Sequence, residues 1–356
     1  MNKFAKIYLI MLSLLSAACD PFQTRIGEEV SLYQSANLQD FNFPDTLKVM
    51  TWNIKFGGGR IDFFFDCHGD RVIMEKSEVL DNMQLLAEKI REVNPDILFV
   101  QEADVNAKRS ASIDQVQYLL DHTDLNYAAY ASQWKANYIP SKGIGKMDSG
   151  NAILSKWNFT NAKRIALPLI KEQDFIVRYF YLKRNFLEVQ LEHADKKLLL
   201  LTTHASAYAK DNTKQKQLEI IKAYTDSLNK NNELFILGGD FNSMPPYSKQ
   251  TSNFDDSACS DGDLTADNYS AETAWMMPFY KSYRAAIPLN DYKNNNEQYF
   301  THTTDKNGFW NRKLDYIFTN GAFFEKSGKV LQQWMPVSDH APTIVDFNTK
   351  QISPTH

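Results

Sequence analysis

Short apolar stretches recur along the chain, and several end on polar side chains instead of fading into turns. Residues 47–54, LKVMTWNI, alternate apolar and polar positions and predict a strand that delivers Asn53. Residues 96–104, DILFVQEAD, follow Asn94-Pro95 and predict a second strand that delivers Glu102. LEVQLE and LLLLTTH, separated by the turn-like stretch 193–197, predict a hairpin whose second arm ends at His204. The run Phe235-Ile236-Leu237 passes through two glycines into Asp240 and Asn242. KLDYIFTNG, 313–321, holds Asp315 within a strand, and VSDHAPTIVDF, 337–347, puts Asp339 and His340 just before the last one.

Helices are expected between these strands. Leu80, Met83, Ala87, Ile90 and Val93 follow the spacing of one helical face, and Leu218, Ile221 and Leu228 sketch another. Helices alternate with strands, yet two strands pair as a hairpin, so the sheet content is expected to be mixed or antiparallel. Two sheets facing each other with helices outside fit that pattern.

Composition changes this picture mainly at the N-terminus. Lys3 and Lys6 precede the apolar run Ile7 to Leu15, and Ser16-Ala17-Ala18 then lead to Cys19. That is the layout of an export signal, too short to span a bilayer. Small residues followed by cysteine resemble a bacterial lipobox, with Ser16 standing where leucine is usual. The expectation is a signal over 1–18, lipidation at Cys19, a tether over 19–45, a domain over 46–349 and a tail over 350–356. The protein would then be exported and held at a cell-envelope membrane, with plain secretion as the alternative. Cys67 and Cys259 remain after processing, and the sequence leaves their pairing open.

Elsewhere the composition is globular, with 43% hydrophobic and 13% aromatic residues and no repeat or long linker to force a division. The formal charge is −4, and losing Lys3 and Lys6 with the signal makes it −6. No strongly basic face for non-specific nucleic-acid binding is announced. Lys135, Lys142 and Lys146 near Trp134 and Tyr138 suit a phosphate and a stacking base, or simply a solvated loop.

Asn53, Glu102, His204, Asp240, Asn242, Asp315, Asp339 and His340 all stand at strand ends. Singly, each has an ordinary explanation as a turn former or capping group. Together, carboxylates, amides and imidazoles suit the holding of a hard divalent cation and the movement of protons at a phosphate. Zinc would call for more histidine or cysteine at short spacing, and no HExxH or CxxC occurs.

TWNIKFGG, FVQEAD, LTTHAS, GGDFNSMP, LDYIF and SDHAP occur in the order found in the endonuclease/exonuclease/phosphatase superfamily, and the chain resembles that family over roughly residues 46–349. The resemblance implies a four-layer α/β sandwich of two packed sheets flanked by helices, and a Mg²⁺-dependent phosphoester hydrolase in which Mn²⁺ can substitute. It implies metal ligation by Glu102 with Asn53 beside it, and Asp339 as a further metal neighbour. Asp240 would be the base and Asn242 its partner at the attacking water; in extended chain the two, separated by one residue, face the same way and can address one water and one phosphate. His340, oriented by Asp315, would meet the phosphate. His204 would be a general acid or a phosphate contact, and Arg184 a phosphate contact, with surface ion pairing the competing explanation.

The substrate is less legible. The expectation is a monomeric phosphodiesterase acting on nucleic acid in preference to lipid, with sphingomyelin-type lipids, inositol phosphates and an inactive binding module as alternatives. Phe63, Phe64 and Phe65 would favour lipid if exposed beside a shallow cleft, whereas a lysine-lined groove would favour nucleic acid. Asp66, Cys67 and His68 superficially suggest a second metal site, but adjacent residues rarely converge on one ion. The long stretch 243–300 is expected to border the cleft with loops and short helices.

Overall fold

A computed structural model describes residues 20–66, 69–193, 196–207, 211–257 and 268–351. The lipidation expected at Cys19, the pairing of Cys67 with Cys259, and His68 lie outside the described residues.

The strands form two sheets. In the first, β1 (Ser31–Gln34), β4 (Tyr127–Ile139), β5 (Gly145–Ser155), β3 (Ile97–Asp104), β2 (Thr46–Asn53), β13 (Thr343–Asn348) and β12 (Lys329–Val330) lie in that order. In the second the order is β10 (Arg284–Ala285), β11 (Asp315–Thr319), β9 (Phe235–Asp240), β8 (Lys196–His204), β7 (Asn185–His193) and β6 (Phe159–Ala166). β2 and β3 run parallel, as do β8 and β9, and the other neighbours are antiparallel. Each parallel step is bridged by a long helix, α1 (Lys76–Val93) in the first sheet and, after the shorter α2 (Gln115–Asp121) and α3 (Phe175–Phe180), α4 (Thr213–Lys230) in the second. α5 (Glu272–Ser282) and α6 (Leu289–Asn294) fall in the stretch that precedes β11.

Alternation along the strands decides the layering. Val49, Ile97, Phe99 and Ile153 of the first sheet meet Leu187, Val189, Leu198, Leu200, Ile236 and Ile317 of the second. The intervening positions Met50, Leu98 and Val100 turn outward and pack under Met83, Leu86 and Ile90 of α1. On the far side Leu199, Leu201, Phe235 and Leu237 pack under Leu218 and Ile221 of α4 and Met276 and Phe279 of α5. The protein is therefore the expected four-layer α/β sandwich.

Two glycines in β9 answer to close approaches. A Cβ at Gly238 would stand 2.3 Å from the Phe99 ring of the opposing sheet, and Gly239, at φ +145°, lies so near β8 that a Cβ would stand 2.1 Å from the Thr203 carbonyl oxygen. The pair lets β9 run close to both neighbours just before Asp240.

One expectation is corrected. Residues 20–45 are not a free tether but lie along the domain. β1 pairs with β4, Phe43 packs on Trp157, and the Trp157 indole N–H donates to the Phe41 carbonyl at 3.0 Å. The stretch lacks a long apolar run, which hides its seating; a few aromatic contacts and backbone hydrogen bonds carry it.

Gly238→Ala is expected to lower stability by about 1–3 kcal/mol, as overpacking does in a filled core. Urea unfolding measures this, and Phe99→Leu in the same chain is expected to recover part of the loss.

Candidate active site

The strand ends of both sheets meet at one end of the sandwich. Asp240, last in β9, lies in register with His204 at the end of β8 and with Asp315 at the start of β11. Asn53 ends β2 in the other sheet, and its amide crosses between sheets to donate to Asp240 Oδ2 at 3.1 Å. The same nitrogen lies 3.2 Å from Glu102 Oε1.

Glu102 reaches this place through an irregularity. β3 and β5 lose register between Val100 and Ala103, and Glu102 takes φ +59°. Regular alternation after Val100 would send Glu102 under α1. The bulge turns it into the cleft, where it lies 3.9 Å from His204 Nε2 and keeps 30% of its side chain exposed.

His340 is fixed on three sides. Its carbonyl accepts from the Trp52 indole at 2.8 Å, its backbone N–H donates to Ser338 Oγ, and its ring Nδ1 donates to Asp315 Oδ2 at 2.8 Å. Nε2 is left facing Asp240 Oδ2 at 3.7 Å. Burial opposes charge on this ring, but Asp315 and Asp240 outweigh it and lift its pKa to about 10. Burial in turn lifts Asp240 to about 7, against the pull of His340. His204, 3.5 Å from Asp240 Oδ2, goes the other way: burial, then Arg184 and His340, push its pKa well below the usual range.

Asp339 faces Lys55 at 3.5 Å, and Lys55 also holds Asp66 at 3.0 Å. Burial works against the Asp339 charge, but Lys55, His340 and His302 hold the carboxyl well below the carboxylate range. Asp66 therefore acts as a partner of Lys55. Burial and then Asp339 raise the pKa of Glu102, so two carboxylates repel across the mouth. A hard cation between oxygen donors would relieve that repulsion, and Glu102 and Asp339 with Asn53 beside them fit one.

Arg184 is buried, donates to Gln133 Oε1 at 3.0 Å and lines the cleft. Asn242 lines the cleft too, but not by the extended-chain geometry that would set it beside Asp240. Its φ is +47°, its backbone N–H donates to Asp240 Oδ1 at 2.8 Å, and its side-chain amide donates to the Ala205 carbonyl.

Several cleft residues escape a sequence reading. Lys55 follows Asn53 by two residues in TWNIKF, and a lone lysine there carries no signal of burial. His302 lies in an unremarkable THTTD stretch, yet its ring centroid stands 4.3 Å from that of His340 with the rings tilted at 42°, and its Nδ1 donates to the Asp339 carbonyl at 3.1 Å. His302, Asp339 and His340 bring one ligand atom each within 4.8 Å of one another, as do Asp240, Asp315 and His340. Arg312 and Asp256 form a buried 2.8 Å ion pair, with Asp256 also accepting from Thr303 and Thr304. Asp256 and Tyr269 bring the long stretch after β9 to the cleft wall, as expected.

The cleft measures about 610 Å³ and continues beyond the strand ends between Phe64, Phe65, Trp134, Ile144, Ile176 and Phe180. Phe63 itself is fully buried against Phe56. Among the described lining residues Lys55 is the one lysine.

An Endonuclease/Exonuclease/phosphatase family model matches residues 50–340, a span that begins in β2 and ends on His340. The chain belongs to this family. It is accordingly a phosphoester hydrolase of a class dependent on divalent metal. Similar solved structures include an endonuclease/exonuclease/phosphatase from Beutenbergia cavernae, 17% identical with TM-score 0.56 over 86% of this chain and 72% of that one. The human Nocturnin catalytic domain with bound sulfate is 17% identical with TM-score 0.53, over 89% and 97% of the two chains. A humanized D. rerio TDP2 is 16% identical with TM-score 0.53, over 86% and 100%. At such identities the likeness is one of fold. No curated protein sequence matches the chain.

The raised pKa of His340 sets a pH dependence. The folded state holds this proton more tightly than the unfolded chain, so the stabilisation is complete below about pH 6.5. It is lost as pH rises toward about 10. Urea unfolding in EDTA is expected to give wild type an advantage over His340→Gln that shrinks across this window; a constant gap would contradict the assignment.

Proposed function

We propose that the chain is a phosphodiesterase that cleaves by in-line attack of water on phosphorus. The observation that carries this reading is the position of one oxygen, Asp240 Oδ2, faced by Asn53 at 3.1 Å, His204 at 3.5 Å and His340 at 3.7 Å. Asp240, with its pKa near neutrality, takes a proton from the attacking water as the new P–O bond forms. His340 is held charged by Asp315 and donates through Nε2 to the phosphate, where negative charge grows and the leaving oxygen needs a proton. His204, kept neutral by burial, serves as a hydrogen-bonding contact rather than as a general acid. Arg184 and Asn242 complete the phosphate side of the cleft. Mg²⁺, or Mn²⁺ in its place, held by Glu102 and Asp339 with Asn53 beside them, would neutralise charge on the non-bridging oxygens.

The apolar continuation of the cleft favours a phosphodiester that carries an apolar group, as a phospholipid does. Nucleic acid is the second reading, supported by the aromatic faces of Trp134, Phe64 and Phe65, on which a base can stack. Of the cations in the described lining, Lys55, Arg109 and Arg312 are each paired with a buried carboxylate, which argues for the lipid reading over it. Lipidation of Cys19 after export would keep the enzyme, as a monomer, at the membrane where such a substrate resides.

Hydrolysis on a panel of phospholipid vesicles, plasmid DNA, RNA and inositol phosphates is expected to stop in EDTA and return with Mg²⁺. Asp240→Asn is expected to lower kcat by at least about 10²-fold, as loss of a general base does. Near-normal turnover in that variant would overturn the mechanism. Cys19→Ser is expected to release the protein from membranes in fractionated cells; unchanged association would refute the anchor.

A further inference from the structure

Three consecutive apolar residues stand out from the surface beside the cleft. Phe175, Ile176 and Val177, in the first turn of α3, are 74%, 70% and 48% exposed. The other face of the helix is pinned. Trp134 donates its indole N–H to the Phe180 carbonyl at 2.6 Å, and Phe22 packs edge-on to Phe180 at 5.2 Å. Ile176 and Val177 line the cleft mouth while remaining open to solvent. Rigid backing with an exposed apolar crest is costly in water unless something covers it.

The start of the described chain lies against the same helix. Tyr179 donates its hydroxyl to the Asp20 carboxylate, and Phe22 packs on Tyr179 and Phe180. The Phe22 carbonyl accepts from Asn137 at 2.7 Å, beside Tyr138, which is 52% exposed. Asp20 directly follows Cys19, so an acyl anchor there would leave no slack between bilayer and helix. Three exposed apolar side chains, an exposed tyrosine, the chain entry point and the cleft mouth thus share one rim.

We propose that this rim docks on a lipid bilayer, with Phe175, Ile176 and Val177 entering the interface and the cleft mouth set against the membrane surface. The occupant is a bilayer rather than a protein because the chain reaches the rim at the residue that carries the expected anchor. The crest is also too small to span: no described helix is long and apolar enough to cross a membrane. The orientation deepens the phosphodiesterase reading and rests on it only for the use made of the cleft. Substrate would enter from the membrane plane along the apolar wall.

The test needs no turnover, so its failure is separable from failure of the hydrolase reading. The chain from Asp20 onward, which carries every described element, is held by an N-terminal histidine tag on phosphatidylcholine vesicles containing a chelating lipid and brominated acyl chains. Phe175→Trp is compared with Phe324→Trp, an exposed position joined to β13 near its C-terminal end, away from the site. The native tryptophans are common to both. Emission in Phe175→Trp is expected to be quenched at least about threefold more than in Phe324→Trp, because a docked crest places that ring among acyl chains. Adding Ile176→Glu is expected to remove most of the difference. Equal quenching at the two positions would overturn the proposal, as would quenching at Phe175→Trp that Ile176→Glu leaves unchanged.

Discussion

Everything at the active site depends on two separate sheets holding one registration, and the buried side chain of Gln101 spans them just beneath it. Gln101 accepts from Thr51 of its own sheet at 3.3 Å and donates to Thr202 of the other at 2.9 Å. Thr51 lies two residues before Asn53, Thr202 two before His204, and Gln101 directly before Glu102. The apolar core below is non-directional and would tolerate a small slide of one sheet on the other. Hydrogen bonds at fixed length do not, so the polar clamp converts packing into position.

Above that clamp the electrostatics are arranged in opposing pairs. Asp315 and Asp240 keep His340 charged, while burial, Arg184 and His340 keep the nearby His204 neutral. Lys55 keeps Asp339 ionised, yet burial and Asp339 raise Glu102. The two imidazoles are thereby driven to different protonation states and the two carboxylates are shifted in opposite directions, which is what a site needs to give and take protons at one pH.

Much of this was legible in the sequence, for a definite reason. Asn53, Glu102, His204, Asp240, Asp315 and His340 each terminate or adjoin an apolar run, and the end of a strand is a place periodicity can mark. The four layers followed from strands that alternate with helices and still pair as a hairpin. What stayed hidden lacks periodicity. The bulge that re-aims Glu102 has no signature in FVQEAD, and the positive φ of Asn242 defeats an argument from extended chain. Lys55, His302 and Arg312 owe their place to contacts between segments far apart in the chain. Their charges or ring nitrogens become informative only when burial is known.

The seating of residues 20–45 bears on how much of the chain a stable fold requires. β1 is short and largely exposed, but it covers part of the flank of β4, a strand of 13 residues at the margin of the larger sheet. A polypeptide trimmed to begin at Thr46 would keep every catalytic candidate and lose that cover. Its uncapped main-chain donors and acceptors would then offer a second molecule a template for strand addition, so self-association would accompany the truncation. The segment that looks like a leash in the sequence is a guard against aggregation in the fold.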